Sequence, residues 1–128
     1  MKVLMIADVV ARAGRIAVLE QIQNLRSEYK IDIATMNAEN VAGGFSITAA
    51  IANELFACGI DLMTSGNHIF DKKEIIPYIE KNPRLLRPAN YPPDTPGSRR
   101  TAFAVDGAAR SSPAPRSPRG GSTPRSTT

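Results

Sequence analysis

Three times along the chain a short apolar run is followed by a stretch in which apolar residues return every three or four positions. "KVLMIA", residues 2–7, is an apolar run ending at Asp8, the pattern of a strand buried on both faces. Residues 15–30 follow with Ile16, Leu19, Ile22, Leu25 and Tyr29 at helical spacing, a stripe expected to face the core. "IDIATMN", residues 31–37, reads as a second strand and runs into "AEN"; Gly43-Gly44 then supply a flexible turn. Ser46 or Thr48 can cap the next helix, whose Ile47, Ile51 and Leu55 repeat every four residues, and Gly59 suits the position just past its end. "IDLMTS", residues 60–65, predicts a third strand ending at Gly66-Asn67-His68. Asp71 with Glu74 three residues on resembles a capping box, which predicts a helix start there, kinked or shortened by Pro77. "LLRPANYPP" begins as an extended segment and becomes a proline-rich loop.

This alternation predicts an α/β fold, a parallel-sheet βαβ core with right-handed crossovers. The chain has 128 residues, one domain at most. A chain this short buries only roughly 60–70% of its unfolded surface, so the expected core is modest. The order breaks after residue 100. "TAFAVDG" alternates like a strand, and Asp106-Gly107 is a hairpin signal, yet residues 108–128 contain only Ala, Arg, Ser, Pro, Gly and Thr. Such a segment can neither return as a strand nor cover a core. The expected organisation is a domain over 1–107 and a disordered Arg/Ser/Pro-rich tail over 108–128. The tail reads either as a natural basic linker or as the product of a shifted reading frame, and the unanswered hairpin favours the shift.

Charge has to be located before it is interpreted. The net value is +4, but six of the 16 basic and one of the 12 acidic residues lie from Ser98 onward, leaving 10 basic and 11 acidic in residues 1–97. The body is nearly neutral, and no aromatics are interleaved with the tail arginines, so nucleic acid is not the expected partner. The N-terminal apolar run is short, opens with one lysine and is broken by Asp8, unlike a signal peptide. No segment approaches the ~18 apolar residues of a membrane span, and a cytoplasmic location is expected. The single cysteine rules out an internal disulfide; Cys58 is read as a core thiol.

Asp8, Glu39-Asn40 and Asn67-His68 each stand just after a predicted strand, at intervals of 31 and 28 residues, about one βαβ unit apart. Parallel sheets bind ligands beyond the carboxyl ends of their strands, so these sets are expected to converge in one cleft. Carboxylate, amide oxygen and imidazole together suit Mn, Fe or Zn. A carboxylate such as Glu39 can bridge two cations, and a two-metal site can hold a hydroxide for in-line attack on phosphorus. The same residues also read as plain structure, with Asp8 and Asn67 capping helices, Glu39 solvated and His68 packed in a loop. No GxGxxG phosphate loop competes with either reading.

"IADVVARAGR", "NAENVAGGFSIT", "GNHIFDKKEI" and "LLRPANYPPDTPG" together resemble the YmdB-like metallophosphoesterases, a calcineurin-like family that hydrolyses cyclic nucleotide phosphodiesters. The likeness runs in order from Met1 to about Gly107; "GNH" is common to many metallophosphoesterases, whereas "NAEN…AGG" followed by "RPANYP" is specific to this branch. The resemblance implies the N-terminal half of an α/β/β/α sandwich and two divalent metal ions, iron or manganese. It implies that Asp8, Glu39 and Asn40 hold the first metal, that Glu39 bridges to the second, and that Asn67 binds the second. His68 resembles the family's general acid, since imidazole can exchange a proton near neutral pH. The implied substrate is a small phosphodiester such as a cyclic nucleotide.

Two departures qualify the expectation. Ala7 and Ala11 stand where the family has glycines, a cost on the order of 1 kcal/mol wherever φ must be positive. The family also completes its metal site with histidines from a C-terminal half, and no histidine follows His68 here. A truncated, weakly active or inactive phosphodiesterase is therefore expected, the alternative being an inactive fragment acting as a binding module. With the second sheet missing, one sheet face is expected to lie uncovered and to favour self-association.

Overall fold

A computed structural model describes residues 1–44 and 46–102 of the chain. The expected hairpin turn at 106–107 and the 108–128 tail lie outside the described residues. In chain order the elements are β1 (Val3–Ile6), α1 (Ala11–Tyr29), β2 (Ile33–Asn37), α2 (Ala49–Cys58), β3 (Leu62–Thr64) and α3 (Ile75–Lys81). The strands form one parallel sheet in the order β1-β2-β3, with Val3 opposite Ile33, and with Thr35 opposite both Met5 and Leu62. Beyond β3 the sheet continues in single bridges, Met63 to Leu85 and Leu86 to Ser98, both parallel. This is the expected α/β class.

Side chains alternate across a strand, so the register assigns each residue to a face. Ala34, Met36 and Met63 point into the core, where they join Val18 and Ile22 of α1, Ala52 and Leu55 of α2, and Ile75 and Ile79 of α3. Val3 and Met5 share the opposite face, and Met5 is 81% exposed. The expectation that β1 is buried on both faces therefore fails. An unbroken apolar run makes both faces of a strand apolar, but only packing elements can cover them, and α1 and α2 pack on the same side. Among the described residues the outward face is open chiefly at β1; Ile33, Thr35 and Leu62 on the same face are half-buried.

The helix ends follow local chemistry, with two differences from expectation. Thr48, not Ser46, caps α2: its Oγ1 accepts a hydrogen bond from the Ile51 N–H at 3.3 Å. Gly59 closes α2 at φ 126°, a conformation natural to glycine, and its N–H donates to Leu55 and Phe56 carbonyls. The capping box at Asp71 is not formed; α3 starts four residues later, at Ile75, with Glu74 at its N-cap making no side-chain cap. Pro77 is then the third helical residue, within the first turn, where a missing N–H leaves no bond unmade.

The inward stripe of α1 is Val18, Ile22 and Arg26 rather than the purely apolar set expected, and Ile16 and Tyr29 are exposed. Arg26 replaces an apolar residue at the third inward position because Asp61 waits opposite it. Its Nη1 donates to Asp61 Oδ2 and to the Gly59 carbonyl, and Nη2 to the Asp32 carbonyl at 3.2 Å. Asp61 Oδ2 also accepts the Ala34 N–H at 2.9 Å. The pair, 13% and 5% exposed, joins the end of α1 to the amino ends of β2 and β3. Removing one partner of a buried pair strands the other charge, a loss of roughly 3–5 kcal/mol. Asp61→Ala is expected to lower unfolding stability by about that much in urea titration; a change below about 1 kcal/mol would mean that solvent already screens the pair.

Candidate active site at the strand ends

Because β1, β2 and β3 run the same way, the segments that follow them leave the sheet at one end. Asp8 lies two residues past β1, Glu39 and Asn40 just past β2, and Asn67 and His68 just past β3. The structure joins them in two groups. Asn40 Nδ2 lies 3.2 and 3.0 Å from the two Asp8 carboxylate oxygens. Glu39 Oε2 accepts the His68 backbone N–H at 3.2 Å. Asn40 and Glu39 are neighbours in sequence, so the second loop links the first to the third. Asn67 is exposed beside His68, and its side chain hydrogen-bonds to none of the described residues. Asp8 is exposed, whereas Glu39, Asn40 and His68 are half-buried, so the group lies open to solvent.

The plainly structural reading of these residues does not hold for the caps. The N-cap of α1 is Val10 with no side-chain bond, so Asp8 is not a helix cap. Asn67 lies far ahead of the α3 N-cap at Glu74. Nor is Glu39 simply solvated, since its carboxylate rests on the backbone of the third loop.

Backbone contacts brace the loops from below. The Ala11 N–H donates to the Asn40 carbonyl at 3.1 Å, and the Ala38 N–H to the Thr64 carbonyl at 2.9 Å. Ser46, buried and at φ 59°, donates its Oγ to the Ile69 carbonyl at 2.9 Å, tying the second loop to the third a second time. At Gly66 a Cβ would lie 2.3 Å from Glu39 Oε2 and 2.7 Å from its Cδ. Only glycine lets the carboxylate settle on the chain there.

Two contributors were not apparent from the sequence. Gly66 had a signal in the short "SGNH" turn, but its reason, the approach of Glu39, depends on a residue 27 positions away. Asp71, read as a helix cap, instead faces His68, with Oδ2 2.7 Å from Nδ1. Both side chains are near 40% exposed, so the contact orients the ring more than it stabilises the fold. Cys58 takes no part. It is half-buried rather than fully in the core, its Sγ donates to the Leu55 carbonyl, and burial pushes its thiol pKa up, which disfavours the reactive thiolate.

The donors fit a divalent cation in kind. Asp8 and Glu39 offer carboxylate oxygens and Asn40 and Asn67 amide oxygens, ligands for a hard or intermediate ion. Asn40 would have to turn its amide so that oxygen replaces nitrogen beside Asp8, a choice set by the surrounding hydrogen bonds. Among the described residues no three of His, Cys, Asp or Glu gather at one point.

Two substitutions test the scaffold. Gly66→Ala forces Glu39 off the third loop; Mn²⁺ affinity is expected to fall roughly 10–100-fold, as when a ligand-orienting contact is lost, with the fold retained. Unchanged affinity would show that Glu39 does not need this seat. Ala11 is held at φ 54°, so the cost anticipated for alanine is incurred here. Ala11→Gly is expected to stabilise the chain by on the order of 1 kcal/mol, read as a higher thermal midpoint. A lower midpoint would show that the added freedom of the unfolded glycine outweighs the strain.

The model of the YmdB-like protein family matches residues 4–111. A Bacillus subtilis protein named 2′,3′-cyclic-nucleotide 2′-phosphodiesterase is 42% identical over 107 residues, covering 84% of this chain and 40% of that one. The crystal structure of a hypothetical protein from Thermus thermophilus is 38% identical with a TM-score of 0.70, over 77% of this chain and 38% of that one. A Mycoplasma pneumoniae structure described as a novel phosphatase has a TM-score of 0.76 at 25% identity, over 83% of this chain and 39% of that one. The chain thus spans about two-fifths of the length of the relatives it matches. No helix among the described residues is long and apolar enough to cross a membrane. The parallel βαβ core is the N-terminal portion of a metallophosphoesterase fold, and the chain belongs to the YmdB-like protein family.

Proposed function

We propose that the loops beyond β1, β2 and β3 form part of a metal-dependent phosphodiesterase site for a small phosphodiester, with 2′,3′-cyclic nucleotides the leading class. The observation that carries this reading is the joint held by Glu39. Its carboxylate touches the loop of His68 while its sequence neighbour Asn40 touches Asp8. The Bacillus subtilis relative's name supplies the substrate class. Asp8, Glu39, Asn40 and Asn67 would hold the divalent ions, iron or manganese. Such ions supply Lewis-acid polarisation of a phosphoryl oxygen and an acidified water.

His68 would act as the general acid. With Nδ1 held by Asp71, its other nitrogen, Nε2, is the one left to serve the substrate. A ring protonated on both nitrogens can give the Nε2 proton to the departing oxygen while Nδ1 keeps its own proton, hydrogen-bonded to the Asp71 carboxylate. Asp71 is thus a positioning residue. Glu39, by fixing the His68 backbone, sets where this donor stands relative to Asp8.

A second reading, a binding module without turnover, draws support from the small number of candidate ligands, four for two ions, among the described residues. An incompletely held centre places its water poorly, and displacement by about 1 Å can lower a rate on the order of 10²-fold. With Mn²⁺, hydrolysis of 2′,3′-cyclic AMP and bis-p-nitrophenyl phosphate is expected to run at least about 10²-fold slower than in the Bacillus subtilis relative assayed alongside. His68→Ala should reduce any residual rate by a further 10²-fold or so. Robust turnover that vanishes in His68→Ala would show a complete site and overturn the expectation of weak activity. Mn²⁺ binding indifferent to Asp8→Ala and Glu39→Ala would overturn the metal assignment.

A further inference from the structure

A fourth loop reaches the site, one whose proline-rich sequence carried no assigned role. The Met63 N–H donates to the Arg84 carbonyl at 2.8 Å and the Leu86 N–H to the Met63 carbonyl at 2.9 Å, so residues 85–86 run beside β3 in parallel. The loop that follows, 87–97, therefore leaves the sheet at the same end as the loops of Asp8, Glu39 and His68. Ser65 Oγ also donates to the Leu86 carbonyl, which keeps the starts of the third and fourth loops together.

The fourth loop is braced from inside. Arg87 is 4% exposed, and its guanidinium is used within the loop. Nε donates to the Gly97 carbonyl at 3.2 Å, and Nη1 to the Pro88 and Tyr91 carbonyls at 3.1 and 3.5 Å. Gly97, at φ 91°, lies so near Ile79 that a Cβ would stand 2.8 Å from its Cγ1. A buried cation that spends its donors on a loop's own carbonyls holds that loop in one shape.

What the loop presents is Tyr91. Its ring centroid is 6.2 Å from that of Phe70, with the planes tilted by 33°. Phe70 belongs to the turn of His68, closed by Ile69 N–H to the Gly66 carbonyl at 3.2 Å and Asp71 N–H to the His68 carbonyl at 3.1 Å. Ile69 is fully buried and anchors this turn, while His68, Phe70 and Tyr91 are half-buried. Phe70 rests on the core, so Tyr91, next to the exposed Asn90, is the ring closer to solvent. The chain has only four Phe and three Tyr, and one of each meets two residues from the proposed proton donor.

We propose that Tyr91, backed by Phe70, is the platform on which the base of a nucleotide substrate stacks. The inference rests on the phosphodiesterase reading and names what that site recognises besides phosphate. Every nucleobase has a π-face, so an aromatic platform favours nucleotides over other phosphodiesters while tolerating all bases.

The test uses the full 128-residue chain with Mg²⁺ and two ligands, adenosine 3′-monophosphate and the base-free ribose 3-phosphate, followed by NMR titration. The adenosine ligand is expected to bind on the order of 10-fold more tightly, with contacts between adenine protons and the Tyr91 ring. Tyr91→Phe should keep this preference. Tyr91→Leu, which fills the space without a π-face, should abolish it while leaving ribose 3-phosphate binding and the thermal midpoint unchanged. Equal affinity for the two ligands, or a preference that survives in Tyr91→Leu, would overturn the platform. Base preference through Tyr91 in a chain without hydrolysis would uphold the platform and count against the phosphodiesterase reading alone.

Discussion

Parallel pairing obliges each connection to carry the chain back along the sheet, and here α1 and α2 do so over one face. The consequences reach every part of the molecule. One face of the sheet closes around Ala34, Met36 and Met63, while the other leaves Val3 and Met5 in the open. The amino ends of β2 and β3 are gathered by Arg26 and Asp61, so the ion pair sits at the end of the sheet that carries no candidate chemistry. The carboxyl ends are joined instead by loops, and loops can expose carboxylates and an imidazole that a packed element would have to bury.

Those loops are positioned mainly through backbone. Ala11 to Asn40, Ala38 to Thr64, Ser46 to Ile69 and Glu39 to His68 each involve a main-chain donor or acceptor. Side-chain substitutions on the surface of the loops would leave most of these bonds intact. Positions where the backbone itself is unusual are more sensitive. Gly66 yields its side-chain space to Glu39, and Ala11 and Ser46 hold positive φ. The strain at Ala11 is accepted where its N–H meets Asn40, the residue that touches Asp8.

Much of this was legible in the sequence. Strands announced themselves as apolar runs ending in polar residues, because a strand beneath helices needs apolar side chains and its exit to solvent does not. The spacing of Asp8, Glu39-Asn40 and Asn67-His68 placed them at one end of the sheet for the same reason. What the pattern could not give was the partner of a residue with two candidates. Asp71 stands three residues after His68 and three before Glu74, and either spacing supports a contact. The structure selects His68 because the chain turns at 66–71 before α3 begins. Arg26 carried no recognisable signal: a charged residue at an inward position breaks an apolar stripe, and only the distant Asp61 explains it.

The proposed proton donor and the proposed metal ligands differ in how much of the fold each needs. His68 and Asp71 share one tight turn, held by two short-range hydrogen bonds and by Ile69 in the core. The ligand set draws on three loops, separated by 31 and 28 residues, and depends on the register of the whole sheet. A disturbance of β1, an edge strand among the described residues and open on one face, would move Asp8 away from Asn40 before it moved His68 away from Asp71. The geometry of the proposed acid is thus local, whereas that of the proposed ligand set is collective. Under the proposed function, the capacity to hold metal would therefore govern whether His68 has a reaction to serve.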